Sequence, residues 1–196
     1  MTHIKYLWRQ LMKDKPTKIN LADIVNQYPA PILHVCAHPV QPLTGTTTLT
    51  TPTEQSDQLW DSSIKDFCTD LTQAATMLQF NCLGLAANQI WKSEEACPAI
   101  FVMRWPIDNF TSWKWQEIIN PEIVTSGKKT KHDEGCLSLL GHKLEKKTQR
   151  RANVTLTYQT LDSTIPQTIK FYGHLGPYAQ IVQHEYDHLQ GKLCGK

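Results

Sequence analysis

His184-Glu185-Tyr186-Asp187-His188, close to the end of the chain, is the stretch from which the architecture is read. On a helix, residues i and i+4 share a face, so His184 and His188 can grip one divalent metal ion while Glu185 is left to act as a base. Such a pattern serves metal-assisted hydrolysis. Eight residues follow His188, so a third ligand is expected from upstream.

The tail holds one rival. Residues 184 to 194 read H-E-x-x-H-x-x-G-x-x-C, which puts Cys194 where a metzincin carries its third histidine. Metzincins also need a methionine turn beyond that point, and the two residues after Cys194 supply none. The favoured ligand is Cys136, in the polar, glycine-containing stretch Asp133-Glu134-Gly135-Cys136-Leu137-Ser138. Its alternative is the ordinary fate of a free cysteine, a small buried hydrophobe.

Working outward, Gly176-Pro177 opens the helix that carries the histidines, proline being tolerated in a first turn. Val154 to Tyr158 alternates and pairs with Thr164 to Tyr172 across an Asp162-Ser163 turn, as an antiparallel hairpin. Trp60, Ile64, Phe67, Leu71, Ala74, Ala75 and Leu78 recur at helical spacing, which predicts an amphipathic helix over 57–79. Ala99 to Met103 reads as a buried strand and Glu117 to Pro121 as another ending at its proline, with Trp105, Trp113 and Trp115 in a loop between them. Thr44 to Pro52 reads as turn and loop. The expected class is α+β, with antiparallel or mixed sheets surrounding a C-terminal helix that presents the metal ligands.

At 196 residues the chain can bury one good core. The expected division is an N-terminal extension over 1–28 and one catalytic domain over 29–196. The net charge of +2 gives no reason to expect nucleic acid or membrane as a partner. The basic runs Lys128-Lys129-Lys131 and Lys146-Lys147 with Arg150-Arg151 read as solvated loops. Six scattered cysteines in a chain of this size are expected to be reduced, as in a cytoplasm. No apolar run approaches the length of a membrane-spanning helix. Lysines and an arginine near the start leave a targeting segment as the alternative to a plain extension, although Asp14 and Asp23 count against it.

Three separated segments, in order, resemble the motifs of the peptide deformylases. The first, G-x-G-x-A-A-x-Q, appears as Cys82-Leu83-Gly84-Leu85-Ala86-Ala87-Asn88-Gln89; the second, E-G-C-L-S, is Glu134 to Ser138; the third, Q-H-E-x-D-H, is Gln183 to His188. Weaker matches extend the resemblance over roughly 30–194, among them Pro31-Ile32-Leu33 and Ile119-Asn120-Pro121-Glu122.

The resemblance implies removal of the N-formyl group from the formyl-methionine of nascent peptides, with formate released. It implies one divalent metal on Cys136, His184 and His188, with Fe(II) native and nickel, cobalt or zinc able to occupy the site; a mixed thiolate and imidazole set does not choose among these. Glu185 is implied as the base. The side-chain amide of Gln89 and the backbone N–H of Leu137 are implied as oxyanion donors, and Gly84 with Leu85 as the segment beside which the substrate lies like an added strand. Read from the residues alone, Gln89 could instead cap a turn, and Glu134 with Arg150 is either an ion pair behind the site or two solvated charges.

Two departures bear on the groove. Cys82 stands at the first glycine of G-x-G, and Leu139-Leu140-Gly141 replaces the usual apolar-Pro-Glu after E-G-C-L-S. The chain also ends with the metal helix, so docking on the ribosome through a C-terminal extension is not expected. The cytosol of a bacterium or of a phage-infected cell is the expected compartment, with an organelle as the alternative. Two further classes remain: a zincin-type peptidase, and a catalytically silent relative that binds peptide N-termini.

Overall fold

Trp60 and the apolar positions after it set the first helix. The computed structural model describes residues 24–27, 30–42, 60–78, 82–92, 96–107, 112–139, 147–173 and 176–195. Helix α1 runs over Ser62–Met77, and Asp61 caps it, its carboxylate accepting from the Ser63 N–H at 2.7 Å. The helix therefore starts at its cap, not at 57. Its inward face comprises Cys68, Leu71, Ala74 and Ala75, all buried.

One five-stranded sheet follows, ordered β1 (Gly84–Ala86), β2 (Ile100–Ile107), β3 (Ser112–His132), β4 (Thr148–Thr160) and β5 (Ser163–Phe171). Each neighbouring pair is antiparallel. A short turn, α2 (Ala87–Ile90), leaves β1 directly, and helix α3 (Gly176–Leu189) closes the order. The two long helices lie on opposite faces. Ile100 and Val102 of β2 join Leu71, Ala74 and Ala75 of α1 in one core cluster, while Phe101 and Met103 join Ala179, Val182 and Leu189 of α3 in another. That is the period-two alternation of a strand buried on both faces.

Among the described residues, the helix with the histidines is thus packed by one five-stranded sheet where several were expected. All five strands reach α3, which requires the sheet to curl, and β3 carries two register breaks that allow it. At the first, between Ile119 and Glu122, Asn120 takes φ 49° and its side chain serves Val40 as a strand would: Val40 N–H donates to its Oδ1 at 2.8 Å and its Nδ2 donates to the Val40 carbonyl at 2.8 Å. Pro121 sits in that break, where its missing N–H costs no ladder bond. The strand expected to stop at this proline therefore continues for eleven more residues. At the second break Gly127 has φ 79°, and a Cβ there would stand 2.8 Å from the Asn153 amide.

Two other expectations change for related reasons. Trp105, Trp113 and Trp115 belong to strands, with Trp105 opposite Lys114; Arg104 lies 4.1 Å over the Trp113 ring, and this cation–π contact pins the outer end of the β2–β3 hairpin. Much of the basic runs also lies on the ladder, Lys129 facing Arg151, Lys131 facing Gln149 and Arg150, which is buried, facing Thr130, while Lys147 precedes β4 and pairs with the exposed Asp133. The β4–β5 turn is Leu161-Asp162, one residue earlier than expected, with Thr160 paired to Ser163. The Thr44 to Pro52 reading, Lys146, His142, His174 and most of the 139–149 segment lie outside the described residues. Of the N-terminal segment, Ile24 and Val25 are buried, and Gln27 donates to the Leu137 carbonyl at 3.0 Å.

Candidate functional site

Helix α3 sets His184 and His188 one turn apart, their Nε2 atoms 3.2 Å from each other. Cys136 arrives from the turn between β3 and the 3-10 segment Leu137–Leu139, its Sγ 3.3 Å from His188 Nε2. Donors around one tetrahedral metal at ordinary bond lengths lie roughly 3.3–3.6 Å apart. The three side chains therefore converge as a ligand set does, and their donor atoms all fall within 4.8 Å of one another.

Behind them stands a charged support. Glu134 Oε2 accepts from His184 Nδ1 at 3.0 Å, which leaves the His184 Nε2 lone pair facing the cluster. Arg150 holds the same carboxylate in a fork, Nε to Oε1 at 2.7 Å and Nη2 to Oε2 at 2.8 Å, and also reaches Asp187 and the Gln183 carbonyl. The Glu134–Arg150 pair is buried, not solvated. Burial opposes the Glu134 charge, but the His184 and Arg150 hydrogen bonds outweigh it and hold the carboxyl down at about 2.

Glu185 faces the opposite environment. It is 4 % exposed, its Oε2 has no hydrogen-bond partner, and burial pushes its pKa up to about 7 against the pull of His184 and Arg150. Gly84 makes room for it: a Cβ on Gly84 would stand 2.6 Å from Glu185 Oε1 and 2.8 Å from Cδ. Gly84 is thus required by Glu185 itself, a constraint that the chain order does not reveal.

Gln89 is oriented from both ends. Its Oε1 accepts the Ala86 N–H at 2.9 Å, which fixes the amide so that Nε2 donates to Ser138 Oγ at 3.2 Å and points at Cys136 Sγ, 3.9 Å away. The turn-capping alternative is realised together with the site-facing one. Leu137 is buried at the start of its 3-10 segment, beside Cys136. Leu85 is fully buried in the α1-side cluster, so only its backbone is left to meet anything along β1, which is an edge strand of the sheet. Cys82 is buried, and its thiol donates to the Gly84 carbonyl at 3.1 Å.

Several supports go beyond the residues singled out from the sequence. Asn88 donates to the His188 carbonyl at 2.6 Å, tying the first motif to the last turn of α3. Gln183 bonds the Arg151 backbone twice, at 2.9 and 3.0 Å, docking α3 on β4. Asp187 anchors Arg150. Each lies inside a quoted motif, so the available signal was a polar residue with no assigned duty. Cys194 also reaches the site: its Sγ lies within 4.8 Å of Glu134 and His184 donor atoms, and it belongs to a small apolar cluster with Leu33, Leu139 and Leu193, against which Cys136 packs.

Residues 23–196 match the family model described as polypeptide deformylase. A peptide deformylase from Elusimicrobium minutum is 32% identical over 118 residues, 60% of this chain and 64% of that protein. Peptide deformylase 2 from Streptomyces coelicolor is 35% identical over 120 residues, 61% of each chain. The chain therefore spans somewhat less than two thirds of the length of these relatives. The crystal structure of the peptide deformylase from Ehrlichia chaffeensis superposes with a TM-score of 0.63 at 27% identity, over 87% of this chain and 84% of that one. On the family match across nearly its whole described length, this chain belongs to the polypeptide deformylase family.

Proposed function

We propose that the chain is a metal-dependent amidohydrolase that removes the N-formyl group from formyl-methionine at the start of nascent peptides, releasing formate and a free amine. The observation that carries this is the convergence of Cys136, His184 and His188 beside a buried, unpartnered Glu185 carboxylate. A divalent metal held by those three residues supplies Lewis acidity to the formyl carbonyl and to a water. The donor chemistry fits such an ion, and Fe(II) is the native candidate, with nickel, cobalt or zinc able to bind.

The chain's own groups do the rest. Glu185, with its raised pKa, takes a proton from the attacking water and returns it to the departing nitrogen. The Gln89 Nε2 and the Leu137 N–H donate to the oxygen where negative charge develops. The peptide lies along the outer edge of β1, the terminal strand among the described residues, hydrogen-bonded to the Gly84 and Leu85 backbone as an added strand. Glu134 and Arg150 hold His184 in one tautomer. The catalytic unit is residues 29–196, with Ile24 and Val25 packed into its core, acting in a bacterial-type cytosol without a membrane or specific nucleic-acid partner.

The test is formate release from a formyl-Met tripeptide by anaerobically prepared, Fe- or Ni-loaded protein. Release that disappears in Glu185→Ala and in chelator-treated protein supports the reading. A protein that keeps its metal yet releases no formate overturns it in favour of a peptide-binding relative, with Cys82 the first position to replace by glycine.

A further inference from the structure

Residues 24–27 lie outside the three motifs, in the stretch expected to be a plain extension, yet they grip two of them. Helix α2 is a single turn, so its last carbonyls find no partner within it, and a helix that short is not stable by itself. Asn26 supplies the missing partners. Its N–H donates to the Gln89 carbonyl, and its Nδ2 donates to the Asn88 carbonyl at 2.8 Å and to the Trp91 carbonyl at 2.9 Å. Asn26 is 8% exposed, and Lys92 Nζ donates to its Oδ1, which fixes the amide with Nδ2 towards α2.

Gln27 does the same for the second motif. The Leu137–Leu139 segment is also one short turn, and Gln27 Nε2 donates to the Leu137 carbonyl at 3.0 Å and to the Val25 carbonyl at 3.2 Å. Ile24, Val25 and Leu137 belong to one core cluster, so the neighbours of the pair are packed against the same segment. The direct bond between the two motifs, Gln89 Nε2 to Ser138 Oγ at 3.2 Å, uses the very nitrogen assigned to the oxyanion. Asn26 and Gln27 act instead from behind, on backbone carbonyls.

We propose that Asn26 and Gln27 are positioning residues: they hold the Gln89 and Leu137 segments at one spacing, so that both donors reach the oxygen where negative charge develops. The holding is read from the bonds above; its effect on rate rests on the deformylase reading. Charge on that oxygen is greatest in the transition state, so the spacing acts on kcat and leaves KM nearly unchanged. Loss of a whole oxyanion donor costs about 100- to 1,000-fold in kcat, and a donor displaced but present costs less, on the order of tenfold.

The test measures formate release from the formyl-Met tripeptide by the metal-loaded full chain, with amide hydrogen exchange mapped along it. Asn26→Ala and Gln27→Met, the second keeping the length of the side chain without its donor, should each lower kcat on the order of tenfold, with KM and metal content held within a factor of about two. Exchange should rise around Gln89 in the first and around Leu137 in the second, not across the whole fold. In a Gln89→Ala background, Asn26→Ala should cost less than about twofold, because the donor it positions is gone, whereas Gln27→Met should still lower kcat. Gln27 is half-buried, so its variant decides the matter should Asn26→Ala fail to fold. Unchanged kcat in Gln27→Met, a loss carried by KM, or an Asn26→Ala effect undiminished without the Gln89 side chain overturns the proposal. Wild-type protein that releases no formate overturns the deformylase reading alone, because the exchange map still decides whether the pair holds the two segments.

Discussion

Replacing Gly84 by alanine tests the contact on which the proposed base depends. The added Cβ would meet Glu185 Oε1 at 2.6 Å, Cγ at 2.7 Å and Cδ at 2.8 Å. Ordinary contact begins near 3.4 Å, so the whole carboxylate arm must retreat by about 0.8 Å, and overpacking of this kind costs roughly 1–3 kcal/mol of stability. The arm cannot swing freely, since Glu185 is 4 % exposed and springs from the helix that holds both histidines. A misplacement near 1 Å at a reacting group costs on the order of a hundredfold in rate. We therefore expect Gly84→Ala to fold, to keep its metal stoichiometry by elemental analysis, and to lose about a hundredfold in kcat/KM for formate release. Glu185→Gln, which removes the base without changing the space, is the reference for complete loss of that function. Activity within a factor of about three of wild type in Gly84→Ala would refute the argument that Glu185 must stand where the missing Cβ would be.

Glu185 titrates at about 7 in the fold against an ordinary 4.5, so the folded state binds its proton more tightly and stability falls as pH rises through that window; metal-free Glu185→Gln should gain on the order of 3 kcal/mol at pH 8 and nothing at pH 4 by denaturant melts. Glu134 behaves oppositely. Held at about 2, it stabilises fully above its ordinary range and loses that contribution as pH falls from about 5 towards 2, an effect of roughly 2 kcal/mol after allowing for solvent screening. Arg150→Ala should weaken this dependence, leaving the part that the His184 hydrogen bond sustains, and lower Tm by about 10 °C, because it strips a buried carboxylate of its cation; an unchanged acid-unfolding curve would show that the fork does not help set the Glu134 charge. Gly135 has nothing within 4 Å of the place a Cβ would take, so Gly135→Ala should leave Tm unchanged, and any rise in KM then reports space needed by the peptide and not by the fold.

The ligand set is legible in the sequence because its chemistry is local: a histidine pair at helical spacing reads as one face wherever the helix packs. The apolar stripe from Trp60 to Leu78 is legible for the same reason. The β2–β3 hairpin is not, because Trp105, Trp113 and Trp115 look like loop aromatics until Arg104 is seen lying over Trp113, a contact between neighbouring strands. Pro121 looks like a stop because the rule that excludes proline from ladders holds only where an N–H is needed, and the Asn120 break removes that need. Arg150 looks solvated because its partners lie 16 and 37 residues away.

These differences share one cause, which also bears on the departure at Cys82. Each residue in question answers to a partner that local pattern does not display, and the sheet supplies it. Cys82 donates its thiol back to Gly84, two residues on, so the side chain that replaces glycine is bound to the backbone of β1. The bond holds the carbonyl of the very residue whose missing Cβ admits the carboxylate. A side chain at 82 therefore need not narrow the groove to matter: by fixing the Gly84 peptide it constrains the strand edge along which a substrate would pair. Cys82→Gly should free that edge, raising KM with little change in kcat, whereas a side chain that merely obstructed the groove would give a lower KM on removal. Steady-state kinetics on the formyl-Met tripeptide separate the two outcomes by sign.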